Sequence, residues 1–381
     1  MNKLGIGLYS LAGVYGKKDL KKFQHMLRQA VEAGIKYFDV ADQYGPAEEV
    51  LGETLKNYRQ EMIISTKVGL TTDGGRDCSK KYLKKACEQS LKKLQTDYLD
   101  IYQIHFDDPE TPVEETLEAL EELKITGKIK EYSIGHLPVG RVLEYIKKGN
   151  PAYLMIELSP VSFHQYNKLS SICAKNRIGI ITMSSTGRGL ITGKIKPRHR
   201  FEAGDIRRID PLFQRGLFQS ALKVVRRLED LAAKYGNTPV QIGLNWVLNQ
   251  PAVSFVLTGP SSVAHLAENL GSSAVKISAR DFTALNSFLL DEEKSRERII
   301  EDDINEILAS KLPNEKTEIL AELVYLLSGL VETGKTSEKE ILPLFKQLMV
   351  WRKDSHDLTV IQGIKRELNQ LYRLSKKEGK R

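Results

Sequence analysis

Residues 37–45 read YFDVADQYG, and they decide the fold because a strand-like run ends there in ionisable side chains. Asp39, Asp42 and Tyr44 stand where the chain leaves a core for a glycine turn, a costly place for polar groups unless partners converge on them. Working outward, Lys36 to Val40 is one of eight short runs rich in Val, Ile and Leu. The others are Leu4 to Leu8, Met62 to Thr66, Leu99 to Ile104, Lys130 to Ile134, Tyr153 to Leu158, Ile178 to Thr182 and Val253 to Leu257. Between them the apolar spacing lengthens to a helical period, over Asp19 to Ala33, Lys80 to Leu94, Val113 to Lys124 and Val139 to Lys148. Ser79 is placed to cap a helix, Pro112 to open a first turn, and Gly34 and Gly127 to stop one. Eight such repeats in about 290 residues predict an α/β fold, a parallel sheet closed as a (β/α)8 TIM barrel. The rival is a doubly wound open sheet, whose fingerprint needs GxGxxG after the first strand. LGIGLYS supplies Gly5 and Gly7 but places Ser10 third.

Past this alternation the sequence changes character. From Ile195 to Phe218 a basic, glycine-dotted stretch interrupts the pattern and reads as a long functional loop. It leads to helices around Ala221 to Lys234 and Pro239 to Leu248, and a further helix lies around Asp281 to Leu289. From Asp291 strands disappear, and helical periods cover Arg298 to Leu308, Lys316 to Leu330, Ser337 to Met349 and Leu358 to Leu374, with Ser337 and Glu340 spaced as a capping box. The expected organisation is a barrel over 1–290 followed by a small all-α C-terminal domain over 291–381.

At 381 residues and 41% hydrophobic content the chain can bury one large core and a second, smaller one. A formal charge of +8 suits an anionic small molecule, whereas 7% aromatic content and the lack of an arginine-rich arm speak against nucleic acid. The tail from Asp291 is close to neutral, so the basic excess lies with the barrel. Cys78, Cys87 and Cys173 are odd in number and far apart, the pattern of neither a disulfide framework nor a metal site. MNKLGIGLYS lacks a signal-peptide core, and no apolar stretch reaches the ~20 residues of a membrane span, so the expected location is cytoplasmic and off the membrane.

In a parallel barrel the site forms where strands end, so polar residues there carry the most weight. Asp39 ends the second strand, Tyr44 lies five residues on, Lys67 ends the third in IISTKVG and His105 ends the fourth in YQIHFDD. Taken singly, a buried lysine is ordinarily balanced by an acid and a strand-end histidine is ordinarily a core residue. Together at the ends of three adjacent strands they form a relay: Asp39 holds Lys67, Lys67 lowers the phenol pKa of Tyr44, and His105 orients a carbonyl. The relay asks for no metal.

These residues sit in longer motifs. GIKYFDVADQYGPAEEVLG, IISTKVG, the run from Leu94 to Gly135 and GRGLITGK resemble, in order and spacing, the aldo-keto reductase superfamily over about residues 3–290. The resemblance implies the same barrel, a small carbonyl substrate, and NADP as cofactor with NAD possible, bound extended at the barrel mouth. It gives Tyr44 the proton donor's role, with Asp39 and Lys67 tuning it. Asp39 and Gly7 are then placed on the nicotinamide side, with Gly135 and His136 where the family holds the carboxamide. Met155 stands in place of a glutamine, and Met183 in place of the ring that stacks on the nicotinamide. Ser184, Thr186, Gly187 and Arg188 match the loop over the pyrophosphate. Gly259, Ser261, Ser262, His265, Glu268 and Asn269 match the segment that holds the adenosine 2′-phosphate, although His265 replaces a residue that is usually arginine or glutamine. The implied function is reduction of aldehydes or ketones by NADPH or NADH. The alternative is a cofactor-binding redox sensor or regulatory subunit that meets a protein partner, or itself, through the C-terminal helices.

Overall fold

The computed structural model describes residues 2–16, 18–354 and 357–378. Eight parallel strands close a barrel in sequence order: β1 (Leu4–Gly7), β2 (Tyr37–Asp39), β3 (Ile63–Val68), β4 (Leu99–Ile104), β5 (Ile129–Gly135), β6 (Tyr153–Glu157), β7 (Gly179–Met183) and β8 (Val253–Thr258). Each coincides with a predicted run to within a few residues. Tyr37, Ile101, Met155, Ile181, Phe255 and Leu257 fill the interior, with the Tyr37 ring stacked on Phe255 at 4.2 Å.

Helices return the chain between strands: α1 (Leu20–Glu32), α2 (Ala47–Leu55), α3 (Lys80–Leu94), α4 (Val113–Ile125), α5 (Val139–Lys148) and α6 (His164–Asn176), then α7 (Arg215–Tyr235), α8 (Pro239–Leu248) and α9 (Val263–Leu270). Ser79 caps α3 by accepting from the Tyr82 amide, and Gly34 and Gly127 take left-handed φ of +83° and +73°, as stop signals require. The periodicity named no helix over α2 or α6, and α9 came only from the resemblance of its segment. The first and last are only nine and eight residues long, too short for a helical period to stand out.

Gly52, inside α2, lets that helix approach the end of α3. A Cβ there would lie 2.6 Å from the backbone carbonyl carbon and oxygen of Leu94, and a main chain cannot step aside as a side chain can. The Gly52→Ala substitution gains about 1 kcal/mol of helix propensity but overpacks this contact by more. The expected net loss is about 2 kcal/mol, read as a fall of about 4–8 °C in Tm; an unchanged Tm would mean that the two helices separate freely.

The chain divides into two compact units, Met1–Ile195 with Val225–Phe282, and Lys196–Val224 with Thr283–Arg381. This differs from the expected boundary at 290/291. The stretch read as a long barrel loop contains two 3-10 turns, Ile206–Arg208 and Pro211–Phe213, and its Ile209 and Leu217 pack with Ile300, Ile304 and Leu326 in the core of the second unit. Asp303 accepts from the Gly216 amide at 3.1 Å. Nor does the chain break near Asp291: α10 (Ala279–Ala309) is one helix of 31 residues where two were expected. The intervening DEEKSRER is polar but made of good helix formers, with Lys294 bonded to Asp291 at 3.0 Å one turn back.

The rest of the second unit is helical: α11 (Lys316–Glu332), α12 (Glu338–Asp354) and α13 (Leu358–Glu378). The expected capping box forms, with the Glu340 amide donating to Ser337 Oγ and the Ser337 amide to Glu340 Oε2. Among the described residues no helix is long and apolar enough to cross a membrane.

Candidate active site

Strand register assembles the site. Asp39 pairs with Ser65, and Lys67 lies two residues further along β3, on the same inward face. Lys67 pairs with Gln103, and His105 lies two beyond that. Each neighbouring strand therefore carries its functional group one step higher, and Asp39, Lys67 and His105 rise to the mouth, where the loop after β2 brings Tyr44. The four residues expected to meet do meet.

Lys67, only 1% exposed, ion-pairs through Nζ with Asp39 Oδ1 and donates to the Val40 carbonyl at 2.8 Å. Burial pushes the Asp39 carboxyl up and the Lys67 ammonium down, and each holds the other's charge against that drift. Lys67 Nζ sits 4.8 Å from the Tyr44 ring centroid, and the Tyr44 hydroxyl is 3.5 Å from His105 Nε2. His105 is buried and held neutral, its pKa driven well below 6.5 by burial and then by Lys67. Its Nδ1 has no hydrogen-bond partner among the described residues. Tyr9, with its ring 5.0 Å from that of Tyr44, and Phe106, 4.7 Å from the His105 ring, wall the mouth.

One expectation is corrected. Tyr44 is not lowered below its ordinary pKa; burial, and then the Asp39 charge, raise it well above 10. The hydroxyl therefore keeps its proton at neutral pH, with the Lys67 ammonium beside its ring. Asp42, the second acid of YFDVADQYG, stands outside the relay and is raised to about 6 by burial, with Glu48 adding to the rise and Lys93 opposing it.

On the side of β5, His136 has a left-handed φ of +48° and its Nδ1 lies 3.1 Å from the His105 carbonyl oxygen. A carbonyl only accepts, so Nδ1 carries the hydrogen and Nε2 presents a lone pair. The donor expected of His136 is thus already engaged. The ring stacks on Phe106 at 4.6 Å, and burial followed by Lys67 lowers its pKa to about 4. A base with a depressed folded pKa contributes stability above its unfolded pKa and loses it as pH falls through the folded value. Asn tolerates positive φ, which makes His136→Asn a fair comparison. On acidification from pH 7.5 to 4.5 wild type should lose about 2 kcal/mol more than the variant. Equal losses in paired denaturant titrations would contradict the burial of a neutral ring.

Gly135 and Met155 are buried in the barrel interior. Met155 is 1% exposed in the barrel core, 3.3 Å through Sδ from Gln103 Nε2, and a Cβ at Gly135 would meet that same nitrogen at 2.8 Å. They form the floor beneath the mouth. Met183 is half-buried against this core.

The groups expected to hold a dinucleotide fit one in part. A Cβ on Gly7 or Gly259 would meet nothing nearer than a backbone oxygen at 3.9 Å, an ordinary contact, so neither glycine is forced by crowding at the end of β1 or β8. Ser184, Gly187, Arg188 and Gly189 take left-handed φ, and Gly187 N to Ser184 O and Gly189 N to Thr186 O bonds curl this loop. Ser262 caps α9, while His265 Nδ1 is bonded to Ser261 Oγ at 3.1 Å. Glu268 gives its carbonyl to Gln241, and Asn269 is buried. Neither Lys nor Arg occurs in residues 258–270. Arg188, expected on a pyrophosphate, has both arms on Glu157, at 2.8 and 3.0 Å. Sequence reasoning missed Glu157 and Gln103, although the rule that strand ends carry function would have found Glu157, the last residue of β6.

Comparison with known proteins gives the family and the fold. The sequence model of the Aldo/keto reductase family matches residues 3–290. The Aldo-keto reductase YhdN of Bacillus subtilis (strain 168) is 32% identical over 71% of this chain and 85% of its own. The Aldo-keto reductase yakc [NADP(+)] of Schizosaccharomyces pombe is 30% identical over 72% and 84%. Among solved structures, the glycerol dehydrogenase AKR11B4 from Gluconobacter oxydans superposes with a TM-score of 0.69 at 23% identity, covering 77% of this chain and 92% of that one. That last likeness speaks to the fold alone.

Proposed function

We propose a specific chemistry for this chain, which belongs to the aldo/keto reductase family and is an NAD(P)-dependent oxidoreductase of carbonyl compounds: it reduces an aldehyde or ketone with Tyr44 as proton donor. Its cofactor is NADP, the dinucleotide carried in the name of the fission-yeast relative. The observation that carries the reading is the meeting of four groups at the mouth, Lys67 ion-paired to Asp39 beside the Tyr44 ring and the Tyr44 hydroxyl 3.5 Å from His105 Nε2.

When bound, the dinucleotide supplies hydride to the carbonyl carbon. The chain's residues handle the oxygen. A carbonyl oxygen seated between the Tyr44 hydroxyl and His105 Nε2 accepts a hydrogen bond from each, provided His105 is neutral with its proton on Nε2. Its lowered pKa keeps it neutral. As negative charge gathers on that oxygen, the Tyr44 proton moves to it and a phenolate remains. The Lys67 ammonium beside the ring stabilises that phenolate, and Asp39 with the Val40 carbonyl keeps the ammonium in place. Tyr9 and Phe106 shield the oxygen from water, which strengthens each of these interactions.

The test is a fluorescence titration with NADPH and NADH, followed by nicotinamide oxidation against a mixed panel of aldehydes and ketones. NADPH turnover on part of the panel is expected. Tight cofactor retention with no turnover across the panel would favour the sensor or regulatory reading.

A further inference from the structure

Glu157 ends β6 at the mouth, and its carboxylate takes both arms of the Arg188 guanidinium at 2.8 and 3.0 Å. Both side chains are 21% exposed, so the pair is open to an incoming ligand rather than sealed in the core. The Arg188 loop does not depend on Glu157 for its shape. Its turns are closed by backbone bonds, Gly187 to Ser184, Gly189 to Thr186 and Leu190 to Gly187, and Leu190 and Ile191 anchor it in the core. A guanidinium fork that grips a carboxylate with two parallel bonds has the geometry to grip a phosphate oxygen pair instead.

We infer that Glu157 is a competing anion at the cofactor site: it occupies the Arg188 fork until the diphosphate of the dinucleotide displaces it, and so sets how tightly that diphosphate is held. The inference rests on the dinucleotide reading above. Glu157 lowers affinity in two ways, by engaging the fork and by placing a negative charge beside an incoming negative group. Its gain is readier release, because the carboxylate takes back the fork as the diphosphate leaves.

Glu157→Gln keeps the shape and removes the charge. By calorimetry at low salt, NADP+ should bind this variant about tenfold more tightly than wild type, with most of the gain lost at high salt. 2′-Phospho-ADP-ribose, which has the diphosphate but no nicotinamide, should gain equally. Adenosine 2′-monophosphate, which has no diphosphate, should not change. Arg188→Gln, the second variant, should lose about tenfold in NADP+ affinity and leave adenosine 2′-monophosphate unaffected. Unchanged or weaker NADP+ binding by Glu157→Gln would overturn the proposal and make Glu157 a support for Arg188. An equal gain for adenosine 2′-monophosphate would also overturn it, by reducing the effect to the general field. Wild-type protein that binds none of the three ligands would remove the dinucleotide reading itself, a different failure from the other two.

Discussion

Tyr44→Phe should lower turnover by about 10²–10⁴-fold, the range that a positioned general acid contributes, while NADP+ affinity stays within about twofold. The asymmetry follows from what the hydroxyl touches. It faces His105 Nε2 at 3.5 Å, and the ring keeps its packing against Tyr9 at 5.0 Å and its place over Lys67 when only the oxygen is removed. Burial and Asp39 hold the phenol pKa well above 10, so wild type has its acid protonated across the whole neutral range. The rate should therefore show no loss that reports phenol ionisation as pH rises from 7 to 9. A Tyr44→Phe variant turning over at the wild-type rate would assign the proton to another group.

Lys67→Met should be the most damaging single change to both stability and turnover. The ammonium is 1% exposed and has two buried partners, Asp39 Oδ1 and the Val40 carbonyl, which the thioether leaves unsatisfied. Removing one member of a buried ion pair costs about 3–5 kcal/mol, because the other charge remains in a medium that solvates it poorly. Turnover should fall with it, since the phenolate left on Tyr44 loses its stabilising cation. Adding Asp39→Asn to Lys67→Met should recover much of the stability and none of the turnover, which separates the two effects. Denaturant titration of the single and double variants measures the first, and nicotinamide oxidation the second. Full stability of Lys67→Met would mean that Asp39 is protonated in the native protein.

The barrel was legible because its evidence is local. Eight Val, Ile and Leu runs, most of them followed by a turn and a helical period, can be read one at a time, and parallel order follows from the length of the crossovers. The relay was legible for a related reason. Asp39, Lys67 and His105 each close a strand, and the barrel's regular register converts that shared position into proximity.

What was not legible depends on residues far apart in sequence. The direction of the Tyr44 shift is set by burial, and nothing in ADQYG reports how deeply the phenol sits. Met155 and Gly135 look like weakened cofactor contacts in the sequence, and nothing near them in sequence reports that both also lie against the Gln103 amide on β4. Arg188 reads as a phosphate ligand, and nothing near it in sequence shows that Glu157, 31 residues away, already occupies its fork. The grouping of Lys196–Val224 with the C-terminal helices escaped notice because Ile209 belongs to no period of its own and the period that holds Leu217 does not say what it packs against, which is Ile300 and Leu326.

The measurement that bears most directly on the central claim is a crystal structure of the full chain with NADP+ bound. The expected result is a nicotinamide ring at the barrel mouth beside the Tyr44 hydroxyl and His105 Nε2, with Lys67 still paired to Asp39. A dinucleotide bound elsewhere, or a nicotinamide turned away from Tyr44, would contradict it.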